Sequence, residues 1–265
     1  EGLYVILCDL TCKEVDFTSL AEGVDVLYHC AGEINDESLM HELHVNGSKR
    51  LLQAASGRIG RWVQLSSVGA YGLCRSGNMV EASPEKPTGP YESTKTLSDQ
   101  IVRESDDPVV ILRPSTVFGR TMPNQSLRQL VRMVARGIFF YVGKKGALVN
   151  YVHVDDVVNA LVLCGREDKA LGETYILSQT TTIEEMVEMF QSGLNARRLV
   201  FRSPELPIRL ISRLFGGIAG FPLTESRVDA LTGRCIDDSG KIQRELGFSF
   251  GGTLNDSLRL FASTV

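Results

Sequence analysis

Along this chain, short runs that are apolar on both faces alternate with longer stretches in which apolar residues return every three or four positions. Tyr4 to Cys8, Val24 to Cys30, Trp62 to Leu65 and Val109 to Leu112 are brief and rich in Val, Ile and Leu. That is the pattern of strands buried in a parallel sheet. Between them, Glu37 to Ala55 sets Leu39, Met40, Leu43, Leu51, Leu52 and Ala55 at helical spacing and stops at Ser56-Gly57. Tyr91 to Val102 repeats the pattern with Leu97 and Ile101. Strands and helices alternating with short links predict a doubly wound α/β parallel sheet, whose ligands sit beyond the carboxyl ends of the strands.

The pattern changes after Gly119. Ser126 to Ala135, Val157 to Cys164 and Ile183 to Phe190 read as helices, the last opened by the Thr182/Glu185 capping box. Phe139 to Val142 and Tyr151 to Val154 read as short strands. We therefore expect a sheet domain over residues 1–120 and a smaller, mainly helical substrate lobe over 121–265, with the strand and helix within 151–177 returning to the sheet.

Composition narrows the function. The 265 residues carry 28 basic and 32 acidic side chains, a net charge of −4, which offers no general attraction for nucleic acid. No apolar run reaches the roughly 18 residues of a membrane span. The 6 cysteines include no CxxC pair and no signal segment precedes them, so we expect structural, reduced cysteines in a cytoplasmic protein rather than a metal pair at Cys8 and Cys12.

The candidate chemistry lies in two places. Ser66-Ser67-Val68-Gly69 ends a predicted strand, and Gly89-Pro90-Tyr91-Glu92-Ser93-Thr94-Lys95 opens a predicted helix. Tyr91 and Lys95 are one turn apart on one helix face. An ammonium beside a phenol favours the phenolate; lowering its pKa by about 3 units corresponds to roughly 4 kcal/mol and would make Tyr91 an acid/base for an alcohol or ketone. Ser67 can donate to the same substrate oxygen. His29 and Cys30 lie inside a strand and read as core. His153 reads either as substrate-binding or as a strand-end structural residue, and Asp155-Asp156 as helix capping.

With these residues the chain resembles the extended short-chain dehydrogenase/reductase superfamily, in its NAD-dependent epimerase/dehydratase group. Cys8-Asp9-Leu10-Thr11, Asp25 to Gly32, Val45-Asn46-Gly47-Ser48, Leu112 to Gly119 and Tyr151 to Val157 are similar to that family's motifs, in the same order. The resemblance implies a Rossmann-like sheet and an NAD or NADP cofactor, NAD being favoured. It implies Tyr91 as acid/base, Lys95 holding the nicotinamide ribose, and Ser67 orienting substrate with Thr116 and His153. Asp9 and Leu10 would flank the adenine, Ala31 and Gly32 would line the cofactor groove, and Pro114, Ser115, Thr116 and Val117 would meet the nicotinamide. It also implies a homodimer built through the helices at 37–55 and 91–102.

The family's first strands and glycine-rich turn should precede Asp9 and do not, a shortfall of roughly 50 residues. That turn normally binds the pyrophosphate. We therefore expect these residues alone to bind dinucleotide weakly and to be inactive; submicromolar NAD(H) binding in calorimetry would contradict this. Val68 and Gly69 stand where dehydratases need an acidic pair, which favours oxidation, reduction or epimerisation over water loss.

The substrate is expected to be a small molecule, a nucleotide sugar first. A 3β-hydroxysteroid-dehydrogenase-like reading follows from the stretch between Phe221 and Phe248, and a non-catalytic cofactor-sensing or scaffold role comes third, because such proteins usually lose the tyrosine or lysine. Arg197, Arg198, Arg202, Arg209 and Arg213 could clamp a diphosphate or form a solvated face. Leu206 to Phe221, apolar on one side and basic on the other, could touch a membrane surface or pack on the sheet.

Overall fold

The structure is a computed structural model that describes residues 3–122, 125–196, 200–215 and 224–265. Its strands are β1 (Val26–His29), β2 (Arg61–Leu65), β3 (Ser76–Met79), β4 (Val109–Pro114), β5 (Thr116–Phe118), β6 (Phe140–Val142), β7 (Leu148–His153), β8 (Thr174–Leu177), β9 (Gln179–Thr182), β10 (Phe201–Ser203) and β11 (Arg234–Asp237). Its helices are α1 (Thr18–Ala21), α2 (Glu37–His41), α3 (Ser48–Ala55), α4 (Pro90–Arg103), α5 (Gln125–Arg136), α6 (Val154–Arg166), α7 (Ile183–Gly193), α8 (Glu205–Phe215), α9 (Glu225–Thr232), α10 (Gly240–Leu246) and α11 (Leu254–Ala262).

The main sheet is parallel, in the order β1-β2-β4-β8, with Trp62 opposite Val109 and Leu112 opposite Tyr175. Alternate residues of each strand serve opposite faces. Trp62 and Val109 pack with Leu52, Ala55 and Val102 of α3 and α4, while Val63, Val110 and Leu112 pack with Val157, Ala160 and Leu161 of α6. Helices on both faces leave β4 buried along its whole length, which is why Val109 to Leu112 are apolar on both faces. Arg61 ties the far end of α6 to the sheet by donating to the carbonyls of Cys164 and Glu167, each at 2.9 Å.

The expected strand at Tyr4 to Cys8 is not formed. Leu3 and Leu7 are 92% and 95% exposed, and the outer edge of β1 is unpaired among the described residues. An apolar run becomes a strand only when a neighbour takes up its backbone hydrogen bonds, and none lies beside it here. The other expected elements are present, including the capping box of α7, where Thr182 Oγ1 and the Glu185 side chain each bond the other's backbone N–H.

The back half builds small sheets. β5, β7 and β9 form one, β6 pairs with β10, and β3 pairs with β11. Thus α6 and β8 return to the main sheet, whereas β7 sits in the three-stranded sheet beside β5. A second core joins the two regions, with Phe118, Val131, Phe190 and Leu258 all buried.

The β3–β11 pairing also corrects the expectation that every cysteine is free. It sets Cys235 opposite Gly77, and Cys74 and Cys235, 161 residues apart in sequence, form a disulfide with Cα atoms 5.8 Å apart. Cys164 is buried, while Cys8 and Cys30 are exposed, so Cys30 is not the core residue that its strand pattern suggested. Among the described residues, no group of His, Cys, Asp or Glu could hold a metal, and no helix is long and apolar enough to cross a membrane.

Candidate active site

The carboxyl end of β2 leads into Ser67, which opens a 3₁₀ turn over Val68–Tyr71. Ser67 Oγ accepts from Gly69 N at 3.1 Å, which leaves its own hydrogen free to donate. Gly69 is small for a reason: a Cβ there would lie 2.6 Å from Glu92 Cγ. That close approach sets the turn carrying Ser67 against the first turn of α4, which Pro90 opens at N1 and on which Tyr91 follows.

One turn further on, Lys95 is 4% exposed and donates to the carbonyls of Leu65 at 2.7 Å and Ala31 at 3.4 Å. Its ammonium thus spans the ends of β1 and β2. Burial lowers its pKa, opposed by the Asp99 carboxylate.

The expectation that Lys95 lowers the tyrosine is overturned in this arrangement. Burial first, and then the Glu92 and Asp99 carboxylates, push the Tyr91 phenol above its ordinary value. Tyr91 is therefore a neutral phenol that holds its proton at neutral pH.

Sequence reasoning missed the support under Tyr91. His44 packs edge-on against its ring, with centroids 5.5 Å apart. Glu33 N donates to His44 Nε2 at 2.8 Å, so Nδ1 carries the proton and gives it to Thr94 Oγ1 at 2.8 Å; Thr94 in turn donates to Pro90 O. Burial, then Lys95, lowers the His44 pKa to about 4, which keeps the ring neutral. A π-helical turn over Glu42–Gly47, between α2 and α3, aims this side chain inward. A signal was available: Met40, His44, Ser48, Leu52 and Ala55 form the buried stripe of that helix, and two of the five are polar.

A second missed set lies behind Lys95. Asp99, wholly buried, accepts from Ser66 Oγ at 2.6 Å and from Arg113 Nη2 at 2.8 Å, and Arg113 also reaches Glu85 at 2.6 Å. Burial raises the Asp99 pKa, while Arg113 lowers it. These bonds join β2, α4 and β4, the three elements that carry Ser67, Tyr91 and Pro114.

The remaining predicted positions divide. Asp9 caps its own turn, accepting from Thr11 N at 2.8 Å, and Leu10 packs so close to Gly47 that a Cβ there would lie 2.9 Å from its carbonyl oxygen. Ala31 is half-buried and Gly32 exposed at the end of β1. Pro114 is buried, Val117 half-buried and Thr116 exposed, and Ser115 and Thr116 line a cavity of about 310 Å³ that also touches Val68, Asn150, Tyr151 and Asp237. His153 lines neither this cavity nor its larger neighbour; it caps α6 by accepting from Asp155 N and packs on Phe118. Asp156 accepts from Gly251 N instead of capping.

The arginine cluster proves structural where it is described. Arg202 pairs with Glu184, Arg209 with Glu205 and Asp229, and Arg213 with Glu225. Arg197 and Arg198 lie outside the described residues, as do Phe221, Pro222 and Leu223 of the steroid-like stretch. Leu210 and Leu214 do not pack on the sheet; they are 60% and 66% exposed.

Comparison with known proteins agrees with this geometry. Residues 2–177 match the profile of the NAD dependent epimerase/dehydratase family. Short-chain dehydrogenase/reductase family 42E member 1 of Bos taurus is 28% identical over 245 residues, covering 80% of this chain and 61% of that protein. Low-salt glycan biosynthesis protein Agl12 of Haloferax volcanii is 32% identical over 188 residues, covering 64% of this chain and 60% of that one. This chain therefore spans about three-fifths of the length of these curated relatives. A solved UDP-glucuronic acid 4-epimerase from Bacillus cereus, in complex with NAD, superposes with a TM-score of 0.73 at 18% identity, covering 97% of this chain and 78% of that one. From the strand-end serine, the helix-start tyrosine and lysine, the parallel sheet beneath them and the match over residues 2–177, the chain belongs to the NAD-dependent epimerase/dehydratase family, with its Rossmann-like fold.

Proposed function

We propose that this chain carries the catalytic and substrate-binding part of an NAD(P)-dependent epimerase or dehydrogenase acting on a secondary alcohol or ketone, a nucleotide sugar first. The observation that carries the reading is Lys95 bridging the ends of β1 and β2 one turn from Tyr91, with the Ser67 turn packed against the same helix start. Ser67 and Tyr91 both retain a donatable proton. Together they bind a carbonyl oxygen, and Tyr91 protonates it as it becomes an alkoxide; the reverse step returns the proton to the phenolate. His44 holds the phenol ring in place, and Lys95 supplies positive charge one turn away.

The residues present fit the nicotinamide half of a dinucleotide. Gly32 is exposed at a strand end, and a Cβ there would meet only His44 Nε2 at 3.6 Å. When bound, the nicotinamide accepts or returns hydride.

A larger cavity, of about 490 Å³, shares Val149, Tyr151 and Ala230 with the first and has Arg132, Arg136 and Arg227 in its lining, groups suited to the phosphates of a nucleotide sugar. Leu130, Met133 and Phe139 in the same lining favour the second reading, an apolar hydroxysteroid-like substrate. Leu39 and Leu97, 45% and 42% exposed on α2 and α4, favour the homodimer.

The test is turnover with NAD(P) and UDP-sugars or hydroxysteroids by enzyme that contains these residues. Tyr91→Phe should reduce kcat by about 10²- to 10⁴-fold with the fold retained. Activity within a few-fold of the parent would reject the assignment.

A further inference from the structure

The smaller cavity contains two polar groups that the fold does not use. Ser115 is 5% exposed, and its Oγ has no hydrogen-bond partner, its backbone N–H already being given to Leu177 O. The Asp237 carboxylate, half-buried at the end of β11, makes no hydrogen bond or ion pair among the described residues. A hydroxyl as buried as that of Ser115 is nearly always hydrogen-bonded in a folded protein. Burial alone raises the Asp237 pKa to about 6, with no cation or donor to oppose it.

The neighbours, by contrast, have protein partners. Asn150 donates to Cys235 O at 2.9 Å and accepts from Thr180 Oγ1 at 2.6 Å. Asp229, the other acid in the lining, is balanced by Arg209 at 2.8 Å and Arg75 at 3.2 Å. The lining includes no Lys, Arg or His, and Cys74 and Cys235 enter it as a disulfide. The cavity is therefore net acidic, with one open carboxylate and one open hydroxyl beside Thr116 and the residue after Ser67.

We propose that Asp237 and Ser115 are a recognition pair that takes the donor-bearing part of the substrate, an ammonium ahead of a hydroxyl, and turns phosphate away from this cavity. A carboxylate only accepts hydrogen bonds, and a serine hydroxyl both accepts and donates. An amine and an adjacent hydroxyl, as on an amino sugar, would satisfy both groups and supply the missing cation. A phosphate would bring its charge against Asp237, with no basic side chain in the lining to offset it. Asp237 is thus the specificity-determining residue of the cavity. This rests on reading the cavity as the substrate site, but not on Tyr91 being the acid/base.

The experiment is ligand binding by saturation-transfer NMR at pH 7, with D-glucosamine, D-glucose and glucose 1-phosphate as probes. The parent should bind glucosamine at least about tenfold more tightly than glucose, the difference of a charge-assisted hydrogen bond, and glucose 1-phosphate most weakly. Asp237→Asn should bring glucosamine down to the level of glucose, and Ser115→Ala should weaken both about threefold. The readout is binding and not turnover, so failure of the acid/base assignment remains distinguishable from failure here. Should Asp237→Asn not fold, the parent's Asp237 carboxyl carbon provides the second measurement. Its titration midpoint, faced by Asp229 of α9 and Tyr151 of β7, should fall when glucosamine is added and stay in place with glucose 1-phosphate. Equal affinity for glucosamine and glucose in the parent, tight phosphate binding, no binding of any probe, or an unmoved midpoint would each overturn the proposal.

Discussion

The ground beneath α4 and the cavity beside β5 are both polar, yet they treat their polar groups in opposite ways. Under α4, Ser66, Gln64, Ser98, His29, His44, Thr94 and Arg113 all find protein partners, and only one oxygen of Asp99 is left over. At the cavity, Ser115 and Asp237 find none. A satisfied network locks one geometry, as the positioning of a tyrosine and a lysine requires. An unsatisfied pair stores a preference for whatever ligand completes it. Two serines of similar burial, Ser66 and Ser115, thus read as scaffold and as recognition.

The comparison is most exposed to a break at Arg113. Arg113→Met would leave Asp99 buried beside Ser66 with its strongest partner gone, at a cost of about 3–5 kcal/mol in denaturant unfolding. A loss below about 1 kcal/mol would show that the network is not the frame proposed here. On the cavity side, Cys235→Ser should cost about 2–4 kcal/mol under oxidising conditions and very little in dithiothreitol, because the cross-link closes a long loop of the unfolded chain. Equal loss in both conditions would mean that the bond is not formed.

His44 gives the frame a pH signature. Its folded pKa, near 4, lies below the ordinary value of 6.5, so its contribution to stability is complete above pH 6.5 and is lost as pH falls towards 4. His29, lowered by burial to about 3, acts in the same direction. Asp237, raised to about 6 from 3.8, acts oppositely, losing stability as pH rises through that window. Thermal unfolding at pH 7 and pH 5 should show the parent losing about 2 kcal/mol more than His44→Gln on acidification. Identical pH dependence would remove His44 from the neutral, buried role.

The smallest effects sharpen the contrast directly. Ser66→Ala should cost about 1.5 kcal/mol by removing a bond to a buried carboxylate, while Ser115→Ala should cost nothing or stabilise slightly, since it removes an unpaired hydroxyl. Chemical denaturation of the two variants side by side measures the difference, and equal losses would erase the distinction between the regions.

The sequence by itself determined what depends on local pattern. Three of the four apolar runs, the helix periodicity and the Thr182/Glu185 capping box predicted elements that form, and the spacing of Tyr91 and Lys95 placed both on one helix face, because a helix repeats over a few residues and records its faces locally. Other features depend on partners far away along the chain. Tyr4 to Cys8 is strand-like but unpaired, since a strand needs a neighbour. Tyr91 is raised and not lowered, because burial and the Glu92 and Asp99 carboxylates act on it while the Lys95 ammonium turns to Leu65 O and Ala31 O. Arg209 and Arg213 are spent on carboxylates, Cys74 finds Cys235 across 161 residues, and His44 reaches Thr94 across 50. Charge, protonation and the openness of a polar group are sums over whatever surrounds it in space, and here most of those surroundings come from other parts of the chain.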